Sequence, residues 1–252
     1  MNPAFRAAAL ASLVLAAWPG VAMAHDFFLL PEQFHGRGSF ELHATVGAAF
    51  PAPETVVGPE RIAELRASEG ASIAVAGPSD QSLRLTLTAA RPGAHVAGVR
   101  ILPREVEYEG ERIALIMEEY EVSAEAAQAV AGLPAPRVLR ATSERFAKTI
   151  VCSETCAGSA ATQAFGYPLE FVADASANQF HLLLNGRPLP NYPIAIATSG
   201  SRASLRTDAD GRVTVNFDGE GPIMLFAAHM SPPAEAGGRF TMWLTSLTVS
   251  GR

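Results

Sequence analysis

The chain has 252 residues, a formal net charge of −6, 48% hydrophobic residues and two cysteines. It has no Lys/Arg cluster, which argues against a nucleic-acid partner. No apolar run reaches the roughly 17–25 residues that a membrane helix needs, so no span is expected once a leader is removed.

Met1–Ala24 reads as a secretory signal peptide. Arg6 forms the positive region, Ala7–Trp18 the apolar region, and Ala22-Met23-Ala24 the small-x-small cleavage site. The expected location is the periplasm, with cleavage after Ala24 leaving His25 first. A terminal histidine offers a metal both its α-amine and its ring. The amine, with a pKa of roughly 7.7–8.0, is partly deprotonated at neutral pH.

Beyond the leader, period-two patterning dominates. Ser39–Gly47 alternates Phe40, Leu42, Ala44 and Val46 against Glu41, His43 and Thr45. Pro59–Ala67 carries apolar residues at helical spacing after an N-terminal proline, which predicts a helix. Ser82–Thr88, Gly93–Leu102 and Arg112–Met117 read as strands. Glu105, Glu107, Glu109 and Glu111 would form one solvated face of a hairpin. Ser123–Ala131 reads as a helix capped by Ser123.

Cys152 and Cys156 lie in a C-S-E-T-C segment. In an oxidising compartment they are expected to form a short disulfide loop. The spacing also fits a metal-binding pair, but no further ligands lie nearby in sequence. A small-residue stretch near Gly158–Gly166 suggests a boundary. An N-terminal β-rich, metal-binding domain with one or two short helices would occupy residues 25–160. An immunoglobulin-like β-sandwich would occupy residues 161–252. Its strand candidates are Leu169–Val172, Gln179–Leu184, Pro193–Thr198, Ser204–Thr207, Arg212–Phe217, Ile223–Ala228 and Phe240–Val249, separated by turn signals.

Six histidines are present: His25, His35, His43, His95, His181 and His229. None sits at a local metal-ligand spacing, so a site must be assembled from distant strands. His43 lies on a polar strand face and His229 ends an apolar strand. His95 is a weaker candidate, while His35 and His181 read as exposed. T-D-A-D-G at Thr207–Gly211 lacks the remainder of a calcium loop and reads as a tight turn. There is no G-x-S-x-G, and nothing else supports a nucleophilic enzyme.

Several segments, in order, carry a family resemblance. A-H-D-F-F-L-L-P follows the expected cleavage site. Then come E-L-H-A-T-V-G at Glu41–Gly47, R-F-A-K at Arg145–Lys148 and G-Y-P-L-E-F-V at Gly166–Val172. L-N-G-R-P-L at Leu184–Leu189, T-D-A-D-G and A-H-M at Ala228–Met230 follow. Together they resemble bacterial secreted proteins associated with nickel/cobalt uptake, also catalogued as a domain family of unknown function. Phe28 stands where that family usually has tryptophan. The resemblance implies periplasmic binding of a divalent transition metal, with ligands at His25, His43 and His229.

Three readings follow. The first is a non-enzymatic metal-binding protein that passes its cargo to a membrane transporter or outer-membrane receptor. Nickel or cobalt rests on the resemblance, whereas nitrogen ligands alone favour copper. The second is a copper oxygenase with a terminal-histidine brace. The third is a structural or carbohydrate-interacting sandwich without metal.

Overall fold

The computed structural model describes residues 25–176, 178–216, 219–235 and 237–251; the expected leader lies outside them. Strands β1 (Asp26–Pro31), β2 (His35–Gly36), β3 (Ser39–Gly47) and β4 (Thr55–Val56) come first. They are followed by β5 (Ile62–Ala67), β6 (Ala71–Pro78), β7 (Leu83–Ala89) and the long β8 (Gly93–Glu109). Helices α1 (Glu111–Glu119) and α2 (Ala124–Ala131) separate β8 from the long β9 (Val138–Ser153). The remaining strands begin with β10 (Leu169–Ala173), β11 (Gln179–Leu184), β12 (Arg187–Pro188) and β13 (Pro193–Ala197). They end with β14 (Arg202–Arg206), β15 (Arg212–Thr214), β16 (Pro222–Ser231) and β17 (Phe240–Ser250).

The protein is mainly β, as its alternation predicts. An eight-stranded sheet runs β14-β13-β16-β17-β9-β8-β5, with β2 beside β9. Its centre is the parallel pairing of β9 with β17. Alternation divides β9 between two faces. Leu139, Ala141, Ala147 and Val151 point one way, whereas Phe146, Lys148 and Ile150 point the other.

On the first face lie a five-stranded sheet (β1, β3, β4, β6, β7) and the two helices. Phe40, Leu42 and Ala44 of β3 and Leu83, Leu85 and Leu87 of β7 are buried there. On the second face β10, β11, β12 and β15 form a small sheet. Leu169, Phe171, Phe180 and Leu182 meet Ile223, Leu225, Leu247 and Val249 in a β-sandwich core. The eight-stranded sheet crosses the expected boundary near residue 160, since β9 precedes it and β17 follows it.

Two expected elements are different in the structure. Pro59–Ala67 is a single 3-10 turn, Pro59–Arg61, followed by β5. A β-bulge between Ile62 and Glu64 puts Ile62, Leu65 and Ala67 on one face, so a strand reproduces helical spacing. Arg112–Met117 is helical within α1, with Ile113 and Ile116 buried. A short apolar run does not distinguish strand from helix by periodicity alone. Ser123 caps α2 as expected, accepting the Ala126 N–H at 3.2 Å. Cys152 and Cys156 form a disulfide.

A buried ion pair joins two of the family-like segments. Lys148 Nζ donates to Glu170 Oε2 and to the Phe171 carbonyl, both at 2.8 Å. Glu170 also accepts the Phe165 and Gly166 N–H groups at 2.9 and 2.7 Å. Phe165 and Tyr167 are thereby laid onto β8 at Gly98. A Cβ at Gly98 would come within 2.7 Å of the Phe165 ring and 2.8 Å of the Tyr167 hydroxyl.

Candidate functional site at the start of the described chain

β1, an end strand of the five-stranded sheet, packs against β9 and β17 of the central one. Ser246 Oγ donates to the Phe27 carbonyl at 2.7 Å. Phe28, fully buried, meets Phe50 edge-on at 5.2 Å between ring centres. The first residues of β1 are therefore held by the core, and His25 sits at the edge of that rigid segment.

Arg145, the first residue of R-F-A-K, donates from Nη1 to the His25 carbonyl at 2.9 Å. The His25 side chain is 61% exposed, and its Nε2 lies 3.8 Å from Glu54 Oε2. Glu54 is oriented through its other oxygen, which accepts the Ala48 and Ala49 N–H groups at 3.0 and 3.2 Å.

Asp26 carries the sharpest electrostatic signal. One carboxylate oxygen takes the Arg202 guanidinium at 2.5 Å. The other, Oδ1, is buried without a hydrogen-bond partner. Burial pushes the Asp26 carboxyl above its ordinary value, against the pull of Arg202, Arg145 and His25. Burial also raises Glu119, which feels Asp26, Arg202 and His25. A cavity of about 590 Å³ opens beside this corner, lined in part by Phe50, Glu119, Glu121 and Arg202.

The structure does not gather His25, His43 and His229 into one site. His43 pairs in register with Leu30, five residues beyond His25 along β1. At about 3.3 Å per residue that is roughly 17 Å, farther than two imidazoles on one ion can span. His43 Nδ1 is hydrogen-bonded to Ser82 Oγ at 2.8 Å, and Nε2 lies 3.4 Å from Glu32. His229 Nδ1 meets the Tyr192 hydroxyl at 3.2 Å and Nε2 meets Ser231 Oγ at 3.0 Å. Burial lowers the His229 pKa below the ordinary range. Both strand histidines thus have protein partners for both nitrogens, whereas His25 remains accessible.

The other histidines also have identifiable surroundings. His95 is buried, with Nε2 2.9 Å from the Arg91 carbonyl. His181, expected exposed, is half-buried and donates to Asp174 at 2.8 Å. His35 is exposed as expected, but it lies beside the cysteine pair. Among the described residues, two groups place three ligand-type side chains within 4.8 Å: His35 with Cys152 and Cys156, and Glu32 with Glu41 and His43. In the second group Glu41 also lies 3.7 Å from Arg84. Asp208 accepts the Asp210 and Arg212 N–H groups at 2.8 and 2.9 Å, consistent with the expected turn.

Sequence reasoning missed Asp26, Glu54, Glu119 and Arg202 as neighbours of His25. Asp26 and Arg145 stood inside family-like segments, a usable signal. Glu54 and Arg202 join the site only through folding.

The fold and this corner define a mainly β domain, disulfide-bonded, with an exposed histidine on a tightly held strand. Residues 22–231 match the family described as a domain of unknown function (DUF4198), and the chain belongs to that family. No curated protein matches it. Among solved structures, the D0–D1 domain of intimin is similar at 10% identity, with a TM-score of 0.19, over 88% of this chain and 97% of that one.

Proposed function

We propose that this is an exported, non-enzymatic protein that binds a divalent transition metal at His25 of the processed chain. Nickel or cobalt follows from the family resemblance, with copper the competitor that nitrogen ligands favour. The supporting observation is the buried, unpartnered Asp26 Oδ1 beside an exposed histidine whose carbonyl is held by Arg145. That carboxylate leaves a local demand for positive charge. His25 would contribute its amine and ring Nδ1, with Glu54, 3.8 Å from Nε2, orienting the ring. His43 and His229 are not needed. A membrane transporter or outer-membrane receptor would receive the cargo.

Calorimetric titration with Ni(II), Co(II) and Cu(II) tests this, comparing chains that begin at His25 with chains carrying one extra residue before it. The extension is expected to weaken binding at least about tenfold, because it converts the amine to an amide. Glu54→Gln should weaken binding, whereas His43→Ala and His229→Ala should not. Equal affinity with and without the extra residue would remove the terminus from the mechanism. A stability loss on extension, with unchanged metal binding, would instead assign Asp26 to the α-ammonium.

A further inference from the structure

A second cluster lies at the C-terminal end of β9, away from Asp26. His35 of β2 stands opposite Cys152 of β9 in register. His35 Nε2 is 3.5 Å from Cys156 Sγ, and the three ligand atoms lie within 4.8 Å of one another. Cys152 is buried, while His35 and Cys156 are exposed. We propose that reduction of this disulfide creates a three-ligand site for a thiophilic divalent cation of the zinc class, formed by His35, Cys152 and Cys156.

The backbone that presents these residues is held by bonds other than the disulfide. Cys152 N–H donates to the Phe34 carbonyl at 2.7 Å, and Glu154 N–H to the Gly36 carbonyl at 2.8 Å. Beyond Cys156, the Ala94 N–H donates to the Ala157 carbonyl at 2.9 Å. Both ends of the loop therefore stay in place when the sulfurs separate. Tetrahedral zinc with Zn–N near 2.0–2.1 Å and Zn–S near 2.3 Å has an N···S edge of about 3.5 Å. The observed His35–Cys156 separation is already of that size. Three protein ligands, two of them exposed, leave a fourth position for water or an incoming ligand.

The chemistry balances. A dithiol reductant gives up two electrons and two protons and becomes its own disulfide, leaving Cys152 and Cys156 as thiols. Metal capture then releases those two protons as the thiolates coordinate, with neutral His35 as the third ligand. Oxidised protein lacks both thiolates, so the site is gated by redox state. It is independent of the proposal at His25.

The test uses purified oxidised and reduced protein, chelator competition with Zn(II), and Co(II) as a spectroscopic probe. Reduced protein should bind one more Zn(II) than oxidised protein and show sulfur-to-cobalt charge-transfer absorption. His35→Ala should weaken the added site at least about tenfold while retaining that absorption. The double variant Cys152→Ser/Cys156→Ser should lose the absorption in either redox treatment. A cation bound at His25 gives no thiolate band, which keeps the two sites distinguishable. Identical stoichiometry in both redox states, or wild-type affinity in His35→Ala, would overturn the proposal. So would loss of the far-ultraviolet β signal on reduction, because the ligand backbone would not be preformed.

Discussion

Replacing Lys148 with methionine tests whether the buried ion pair holds the 165–171 segment in place. The Lys148 and Glu170 side chains are 2% and 0% exposed. Burial pushes the Lys148 ammonium downward and Glu170 pulls it back. Lys148→Met preserves much of the side-chain volume but leaves the Glu170 carboxylate buried without its cation. Removing one partner of such a pair costs about 3–5 kcal/mol. Two backbone N–H donors remain on Glu170, from Phe165 and Gly166. The expected loss is therefore near the lower end, about 3 kcal/mol. At roughly 2–4 °C per kcal/mol for a chain of this size, the melting temperature should fall by about 6–12 °C. Urea unfolding of wild type, Lys148→Met, Glu170→Gln and the double variant forms a double-mutant cycle. The double variant should lose less than the sum of the singles, since the uncompensated charge is gone. A loss below about 1 kcal/mol in Lys148→Met, or strict additivity, would refute the account.

Gly98→Ala should destabilise the protein by about 1–3 kcal/mol, because its methyl meets Phe165 and Tyr167; wild-type urea stability would contradict that contact. The lowered His229 pKa means that the unfolded chain takes up the proton first. Stability should therefore fall as pH drops below the ordinary 6.5 toward the lower folded value. His229→Gln should flatten that dependence, measured by urea unfolding between about pH 5 and 7.5; an unchanged slope would assign the dependence elsewhere. Asp26→Asn relieves a buried carboxylate whose pKa is raised, so the penalty that appears as pH rises through its ordinary value should vanish. Metal-free stability at neutral pH should hold or rise while metal affinity falls; a large drop in melting temperature would show that Arg202 depends on the charge.

Much of the strand layout was legible because alternation records which residues face a core. Ser39–Gly47 is β3 to the residue, and the Asn185-Gly186 turn has the positive φ values of 50° and 75° expected of a tight hairpin. The failures have a common cause. The bulge in β5 mimics helical spacing, and the run in α1 is too short for its period to decide. Neither feature is visible until the partner surface is known.

The sequence by itself determined the β character, the capped helix α2, the cysteine loop and the interest of His25. These depend on local pattern and residue chemistry. Only the tertiary structure decided which residues surround each histidine, because those neighbours come from strands far apart in the chain. It separated His43 from His25 and gave both ring nitrogens of His229 protein partners. It also brought Arg145 and Arg202 to the start of β1 and set His35 beside the cysteines. Strand pairing and burial, not sequence proximity, govern those meetings.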